Sequence, residues 1–136
     1  MRFMMIVKAS KDSEAGVMPG EKILADMAKY NEELVKAGVL LDASGLKPSS
    51  KGARIQYSGR QRRVVDGPFT EAKELIAGFW IIQVKSKEEA IEWAKRVPFE
   101  DGEVELRPFF ELEDFAPGPA IEHHRRVETA LGSQKS

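Results

Sequence analysis

The most chemically suggestive residue in this chain is Asp66, which ends a run of strand-forming residues and is followed by Gly67 and Pro68. An Asp-Gly-Pro turn is stiff, because the proline restricts both itself and the residue before it. A carboxylate held by such a turn at the mouth of a sheet-lined cavity could act as a general acid or base. It could equally have a structural role, accepting hydrogen bonds from the amides of its own turn. Both roles stay open from the sequence, and Asp66 is our candidate catalytic residue.

Lys73 and Glu74 follow in a short charged segment and are candidate substrate contacts. The segment is too short for a stable isolated helix, so its charges could lie on a solvated face. Either side chain could instead pair with Asp66 or with Arg107.

Glu105 and Arg107 form a second candidate group, in a segment where they alternate with Val104 and Leu106. If the apolar pair faces a layer of helices, the charged pair points to the opposite face of the sheet. A charge on a covered face must be paired or bind a ligand. A guanidinium fork suits a carboxylate. An internal ion pair of Glu105 with Arg107 and an anion anchor at Arg107 both stay open, and we include both residues among the candidate substrate contacts.

Aromatic side chains are the remaining candidates for a cavity wall. Phe79 and Trp80 alternate across a predicted strand, so one of them should line a cavity, and we include Trp80 among the substrate contacts. Tyr30 continues the apolar stripe of a predicted helix and is interpreted as a core residue.

Several kinds of chemistry are excluded or disfavoured. The chain has no cysteine, which excludes disulfides and thiolate sites. The two histidines, His123 and His124, are adjacent and would point about 100° apart on a helix, which does not suit a shared metal ion. Neither a Ser-His-Asp arrangement nor a phosphate-binding glycine loop can be assembled, so we predict no metal and no cofactor.

Charge and hydropathy narrow the class of protein further. The 136 residues have a net charge of −1, without the basic excess typical of nucleic-acid binding, so no nucleic-acid partner is predicted. The N-terminal apolar run of about five residues is too short for a membrane span or a signal segment. We expect a cytoplasmic protein with no membrane partner.

The elements that must position these residues follow from hydrophobic periodicity. Alternating or continuous apolar runs predict strands at 3–9, 39–46, 53–57, 61–65, 78–84 and 102–107. Helical spacing predicts a helix at 21–37, closed by Gly38, and another that begins at Ser86 with a capping box to Glu89 and stops at Pro98. Segment 11–20 is predicted as a loop, and a weakly amphipathic helix follows the break at 115–119.

This order of elements predicts an α+β domain of the ferredoxin-like type, a split βαβ with an antiparallel sheet and both long helices on one face. The 53–65 hairpin is then an insertion. The first strand and the segment 79–84 are apolar on both faces. A second copy of the chain would cover the other sheet face, so we predict a homodimer.

The segment from Asp66 to Glu71, with Lys73-Glu74 and Gly78-Phe79 after it, resembles the signature of the DGPF branch of the YCII-related family. The resemblance covers about residues 1–110, and we predict a domain at 1–112 with a helical tail at 113–136. It implies a dimeric α+β barrel, an architecture whose members include small isomerases, monooxygenases and dehalogenating enzymes. Most DGPF proteins have no assigned activity, and some are associated with sigma-factor-like regulators.

The resemblance also implies a loss of chemistry. The better-studied YCII branch is thought to use a His–Asp pair with the histidine on the first helix. Here Met27 to Tyr30 surround the matching position, with no histidine, so only the carboxylate half, Asp66, could remain.

Two functions are compatible with these observations. The first is cofactor-free binding or turnover of a small, anionic or aromatic metabolite in the barrel cavity. The second is a non-catalytic regulatory or interaction module linked to sigma-factor-type regulation. The first requires an enclosed cavity of at least about 300 Å³ that touches Asp66 or Arg107.

Overall fold

A computed structural model describes residues 1–135; residue 136 and the side chains of Lys73 and Lys135 lie outside the described part. The strands are β1 (Arg2–Lys8), β2 (Leu40–Gly45), β3 (Ala53–Ser58), β4 (Gln61–Asp66), β5 (Ile76–Gln83) and β6 (Val104–Pro108). The helices are α1 (Lys11–Glu14), α2 (Glu21–Lys36), α3 (Lys87–Lys95) and α4 (Pro119–Lys135). Short 3₁₀ turns occur at Ser49–Lys51, Ala72–Glu74 and Leu112–Asp114.

The main sheet has the strand order β2-β5-β1-β6, and each neighbouring pair is antiparallel. With α2 between β1 and β2, and α3 between β5 and β6, this is the predicted ferredoxin-like α+β fold. The central strand β1 pairs on both edges, and its helix-facing side chains Phe3 and Met5 are buried. Strands β3 and β4 form a separate two-stranded hairpin between β2 and β5, as predicted.

The core lies between the helices and one face of the sheet. Phe3 and Met5 of β1 and Trp80 and Ile82 of β5 are buried there. The side chains packed against these four are Tyr30, Leu34, Val39, Val84, Ala90 and Val97. Val104 and Leu106 contact the same cluster, so β6 presents its apolar side to the helices as the alternation predicts.

The opposite face of the sheet is also apolar. Met4 is the register partner of Ile81, and Ile6 is the partner of Phe79. All four side chains are only half-buried in a single chain. We call these residues the open face.

Two local predictions need correction. Segment 11–20 is not entirely a loop, because α1 forms one turn that is capped by reciprocal hydrogen bonds between Ser10 and Ser13; a turn this short has no apolar periodicity to reveal it. The Ser86 hydroxyl accepts from Glu89 N as predicted, but the Glu89 carboxylate accepts from Lys85 N, one residue before the cap. Gly38 has φ of 73°, the left-handed conformation predicted for the end of α2.

Candidate functional site

Asp66 lies at the end of β4 with its side chain exposed, opposite Ala53. The amides of its turn are used elsewhere, since Gly67 N donates to Gly52 O at 3.1 Å and Phe69 N donates to Ser49 Oγ at 3.0 Å. Neither of these two amides therefore donates to the Asp66 carboxylate, and the structural interpretation of Asp66 stays a prediction. It lines none of the three cavities described below, and its catalytic role stays a prediction.

The turn after Asp66 is held by a clamp that the sequence did not reveal. The Glu14 carboxylate accepts from Ser49 N at 2.9 Å and also from the Ser49 hydroxyl. Gly67, whose peptide bond to Pro68 is cis, passes so close to this turn that a Cβ would lie 1.8 Å from Ser49 O. The clamp joins two polar loops that are distant in sequence, and only the glycine gives a sequence signal for it.

Glu105 and Arg107 point away from the helices, as predicted, and pair with each other at 3.3 Å between Oε2 and Nη1. A second cation, Lys8, lies 3.1 Å from Glu105 Oε1. The hydrogen bond from Lys8, and after it that from Arg107, lowers the pKa of the Glu105 carboxyl from its usual value. The predicted ion pair between Glu105 and Arg107 is therefore formed. Glu105 also pairs with Lys8, which was not predicted from the sequence.

Arg107 also borders a solvent-open groove of about 540 Å³, lined by Met1, Arg2, Arg107, Pro108, Phe109, Phe110, Glu111 and Asp114. The other cation in this wall, Arg2, is already held by Glu111 through contacts of 2.9 and 3.2 Å. The groove meets the expected size but is not enclosed, and the Arg107 side chain is 70% exposed.

Glu74 ends the 3₁₀ turn after the signature segment and is exposed. In the described part of the chain its carboxylate pairs with neither Asp66 nor Arg107. The side chain of Lys73 lies outside the described residues, so the prediction for it stays untested.

A further cavity lies between α2 and the helix-facing side of the sheet and has a volume of about 430 Å³. Its wall consists of Val7, Pro19, Ile23, Leu24, Met27, Asn31, Ala43, Ser44, Gly45, Ala77, Gly78, Phe79, Trp80 and Phe99. Among the side chains that the structure describes, none in this wall is charged, and only Asn31 and Ser44 are polar. We call it the apolar cavity.

Trp80 is the one predicted contact in the apolar cavity. Its indole Nε1 donates to Asn31 Oδ1 at 2.7 Å, and its ring meets Tyr30 edge-to-face with the centroids 5.5 Å apart. The Tyr30 hydroxyl donates to the carbonyl of Trp93 at 2.7 Å, and burial raises the pKa of Tyr30 to about 12. The indole is thus fixed in position, as a preformed ligand wall requires.

Sequence reasoning missed Asn31 and Phe99 as members of this wall. Asn31 directly follows Tyr30 on α2, and a polar residue beside an apolar stripe was its only signal. Within residues 1–135, no group of three or more His, Asp or Glu side chains is arranged to hold a metal ion. No helix of the described chain has the length and apolar character needed to cross a membrane.

The model of the YCII-related domain matches residues 1–113. The chain belongs to the YCII-related family. Helix α4 lies beyond the residues matched to the YCII-related domain. The finer assignment to the DGPF branch stays a prediction.

An uncharacterized protein of Rhizobium meliloti (strain 1021) is 32% identical over 91 residues, which are 65% of this YCII-related chain and 73% of that protein. Among solved structures, one match is 5-chloro-2-hydroxyhydroquinone dehydrochlorinase from Burkholderia phenoliruptrix AC1100 in complex with 2,5-dihydroxybenzoquinone. It has a TM-score of 0.43 and 14% identity, with 85% of this chain and 100% of that chain covered. Similarity at this level concerns the fold alone.

Proposed function

We propose that this YCII-related protein binds a small, uncharged, largely aromatic metabolite in the apolar cavity. The observation behind the proposal is the wall itself, which borders a solvent-open volume of about 430 Å³ and has no charge among its described side chains. That volume is within the usual range for small-molecule sites. An anionic ligand would leave its charge unpaired in such a wall, so of the anionic and aromatic ligands that we expected, the aromatic one is favoured here.

Asn31 supplies the directional contact. Its side-chain oxygen accepts from Trp80, which fixes the amide plane and leaves the amide nitrogen to donate to a ligand carbonyl or hydroxyl. The edge of Trp80 and the ring of Phe99, whose centroids are 6.4 Å apart, form an aromatic corner of the wall. A flat ring with one oxygen substituent has the matching chemistry.

The described wall of the apolar cavity contains no acidic, basic or imidazole side chain. A single chain therefore supports ligand binding there but provides no group for acid–base catalysis. Asp66 lies on the hairpin, outside this wall. We further propose that a second copy of the chain covers the open face. The support is its half-buried apolar side chains, which would otherwise remain in contact with water.

The experiment compares thermal shifts produced by matched pairs of ligands, such as phenol with benzoate and a quinone with its carboxylated analogue. The variant Ala43→Phe fills the cavity from β2, and Leu41→Phe is its control, because Leu41 is on the same strand and is 49% exposed. We expect uncharged aromatics to stabilise the wild type and Leu41→Phe but not Ala43→Phe. Equal stabilisation by the carboxylates, or an unchanged response in Ala43→Phe, would contradict the proposal.

Fluorescence gives an independent readout of the same site. The chain has two tryptophans, so Trp93→Phe leaves Trp80 as the single reporter in the cavity wall. The substitution keeps the backbone carbonyl that accepts from Tyr30. A ligand in the apolar cavity is expected to change Trp80 emission at the concentrations that shift the melting temperature.

A non-catalytic interaction module is the second candidate function. Its support is the outer face of the hairpin, where Ile55, Tyr57 and Val64 are 46%, 72% and 64% exposed. Apolar side chains gathered on one face of a projecting hairpin are typical of a protein-binding surface. The absence of any thermal shift across the ligand panel would favour this function, together with the proposed link to sigma-factor-type regulation.

A further inference from the structure

Phe69, three residues after Asp66, borders another cavity, which differs from the apolar one in having charged side chains in its wall. It has a volume of about 410 Å³ and opens between the Ser49–Lys51 turn, the start of β3 and the start of β5. Its wall contains Glu14, Leu46, Lys47, Pro48, Ser49, Lys51, Gly52, Arg54, Phe69, Leu75 and Ile76. We call it the cationic cavity, because three of these side chains are basic and one is acidic. It shares no lining residue with the apolar cavity.

Arg54 is oriented by the aromatic ring of Phe69. Its guanidinium carbon lies 3.8 Å from the centroid of the Phe69 ring, a stacking contact that fixes the plane of the group. Stacking uses the face of a guanidinium and leaves its N–H edge for an acceptor. Phe69 is itself held by the hydrogen bond from its amide to Ser49 Oγ.

The three basic side chains of this wall form no ion pair among the side chains that the structure describes. Elsewhere Arg2, Arg96 and Arg107 each pair with a glutamate. Lys47, Lys51 and Arg54, by contrast, lie within ion-pair distance of no carboxylate that the structure describes. Three basic side chains and one carboxylate line this concave surface, and a net positive charge of this kind favours an anion from solution.

The one carboxylate in the wall is already occupied. Both oxygens of Glu14 accept from Ser49, one from the backbone amide and one from the hydroxyl. The Ser49 hydroxyl accepts in turn from Phe69 N. Glu14 and Ser49 therefore build the site by fixing its turn, and the three basic side chains remain to contact a ligand.

We propose that the cationic cavity binds a phosphate monoester with a small apolar substituent. The dianionic phosphate contacts the N–H edge of Arg54 and the ammonium groups of Lys47 and Lys51, an arrangement that suits a guanidinium fork supported by point charges. The apolar substituent lies against Leu46, Leu75 and Ile76 of the same wall. This assignment gives Phe69 of the signature a function, that of orienting Arg54, and it does not depend on the proposed function of the apolar cavity.

The test is titration of ¹⁵N-labelled full-length protein with phenyl phosphate, followed by amide shifts and by calorimetry. Amide shifts should be confined to residue 14 and to residues 46–54 and 69–76, with a Kd of about 1 mM or tighter. Arg54→Gln should weaken binding about tenfold, the loss expected for one charged hydrogen-bond partner. Arg60→Gln is the matched control, because Arg60 is an exposed arginine on the same hairpin that does not line the cavity.

Removing the negative charge of Glu14 should have the opposite effect on binding, which a purely structural role of the cavity residues would not give. Glu14→Gln keeps an acceptor for Ser49 and removes the negative charge from the wall, so it should tighten binding. If Arg54→Gln fails to give a folded spectrum, Lys51→Gln replaces it, because Lys51 is exposed and its side chain makes no described contact.

Four results would overturn the proposal. The first is no shift at millimolar phenyl phosphate. The second is equal affinity in Arg54→Gln and Arg60→Gln. The third is binding of inorganic phosphate as tight as that of phenyl phosphate, which would remove the role of the apolar substituent. The fourth is tighter binding of benzoate, which would assign the site to carboxylates.

Discussion

The indole of Trp80 donates a hydrogen bond of 2.7 Å to the amide oxygen of Asn31, so the strand β5 and the helix α2 are joined inside the wall of the apolar cavity. Trp80 is 2% exposed, and water cannot easily replace the lost partner of a donor buried to that extent. The contact therefore combines two roles, since it stabilises the helix against the sheet and fixes the polar group that a ligand would meet.

A double-mutant cycle measures that contact. Asn31→Ala should lower the free energy of unfolding by about 1–3 kcal/mol, because the indole N–H is left buried without its acceptor. In a Trp80→Phe background the same substitution should cost less, which gives a coupling energy of about 1 kcal/mol. Urea unfolding of the four proteins provides the values, and additive effects would show that the hydrogen bond contributes nothing.

Gly67→Ala tests the close approach of Gly67 to the backbone of Ser49. A Cβ at this position would lie 1.8 Å from Ser49 O and 2.6 Å from Ser49 C, so the backbone must move. We expect a loss of about 1–3 kcal/mol in the free energy of unfolding, the usual cost of overpacking.

Gly52→Ala is the control for that experiment, because its Cβ would meet the same Ser49 carbonyl oxygen at an ordinary 3.6 Å. Its effect should be small or slightly stabilising. Similar losses of stability in the two variants would indicate that any side chain in this turn is harmful, whatever its distance from Ser49.

The fold could be predicted from the sequence because its signals are periodic. The apolar stripe of α2, closed by Gly38, and the continuous apolar runs of β1 and β5 specify two layers and an antiparallel sheet. The clamp of Glu14 on Ser49 could not be predicted, because it joins two polar loops whose approach depends on the completed fold. Asp66 attracted attention for its residue type, whereas the structural effect of the motif comes from the missing side chain of Gly67 and from the ring of Phe69.

Tyr30 should make stability depend on pH in the alkaline range. Burial raises its pKa from 10.0 to about 12, so the unfolded chain releases the phenol proton at a lower pH than the folded chain does. Its contribution is complete below about pH 10 and is lost as the pH rises through about 12. Tyr30→Phe should cost about 1 kcal/mol at neutral pH, from the lost hydrogen bond to Trp93 O, and this difference should shrink above about pH 10.

Denaturant unfolding at several pH values checks the Tyr30 prediction. Tyr57→Phe is the matched variant, because Tyr57 is 72% exposed, and its stability curve should run parallel to that of the wild type. A Tyr30→Phe curve that is also parallel would show that the buried phenol does not cause the alkaline loss.

The triad of Lys8, Glu105 and Arg107 predicts an order of effects on one carboxyl group. Lys8 is the larger cause of the lowered Glu105 pKa and Arg107 the smaller. Carboxyl titration by ¹³C NMR should therefore show a larger rise in the Glu105 pKa for Lys8→Gln than for Arg107→Gln. Because the folded pKa is depressed, this contribution to stability is present above the unfolded pKa and lost as the pH falls through the folded one. The reverse order would show that Arg107 interacts mainly with Glu105, which would weaken the prediction that Arg107 binds an anionic ligand.

The proposed dimer through the open face is tested by one substitution on β5. Light scattering should give the wild type about twice the 15.2 kDa mass of one chain, and Ile81→Glu should give a monomer because it places a charge in an apolar interface. Ile55→Glu, on the outer face of the hairpin, should remain dimeric. Dissociation by Ile55→Glu alone would move the interface to the hairpin, and a monomeric wild type would end the proposal.

The hairpin of β3 and β4 leaves and rejoins the fold at adjacent points, since Ala53 and Asp66 are partners in its ladder. An insertion whose two ends already meet adds little closure entropy and does not require the four-stranded sheet to be rethreaded. The β3-β4 hairpin can therefore change in length or sequence during evolution without a change in the four-stranded sheet. For the experimentalist, the tip at Gly59 is a natural position for grafting an epitope or a fluorophore.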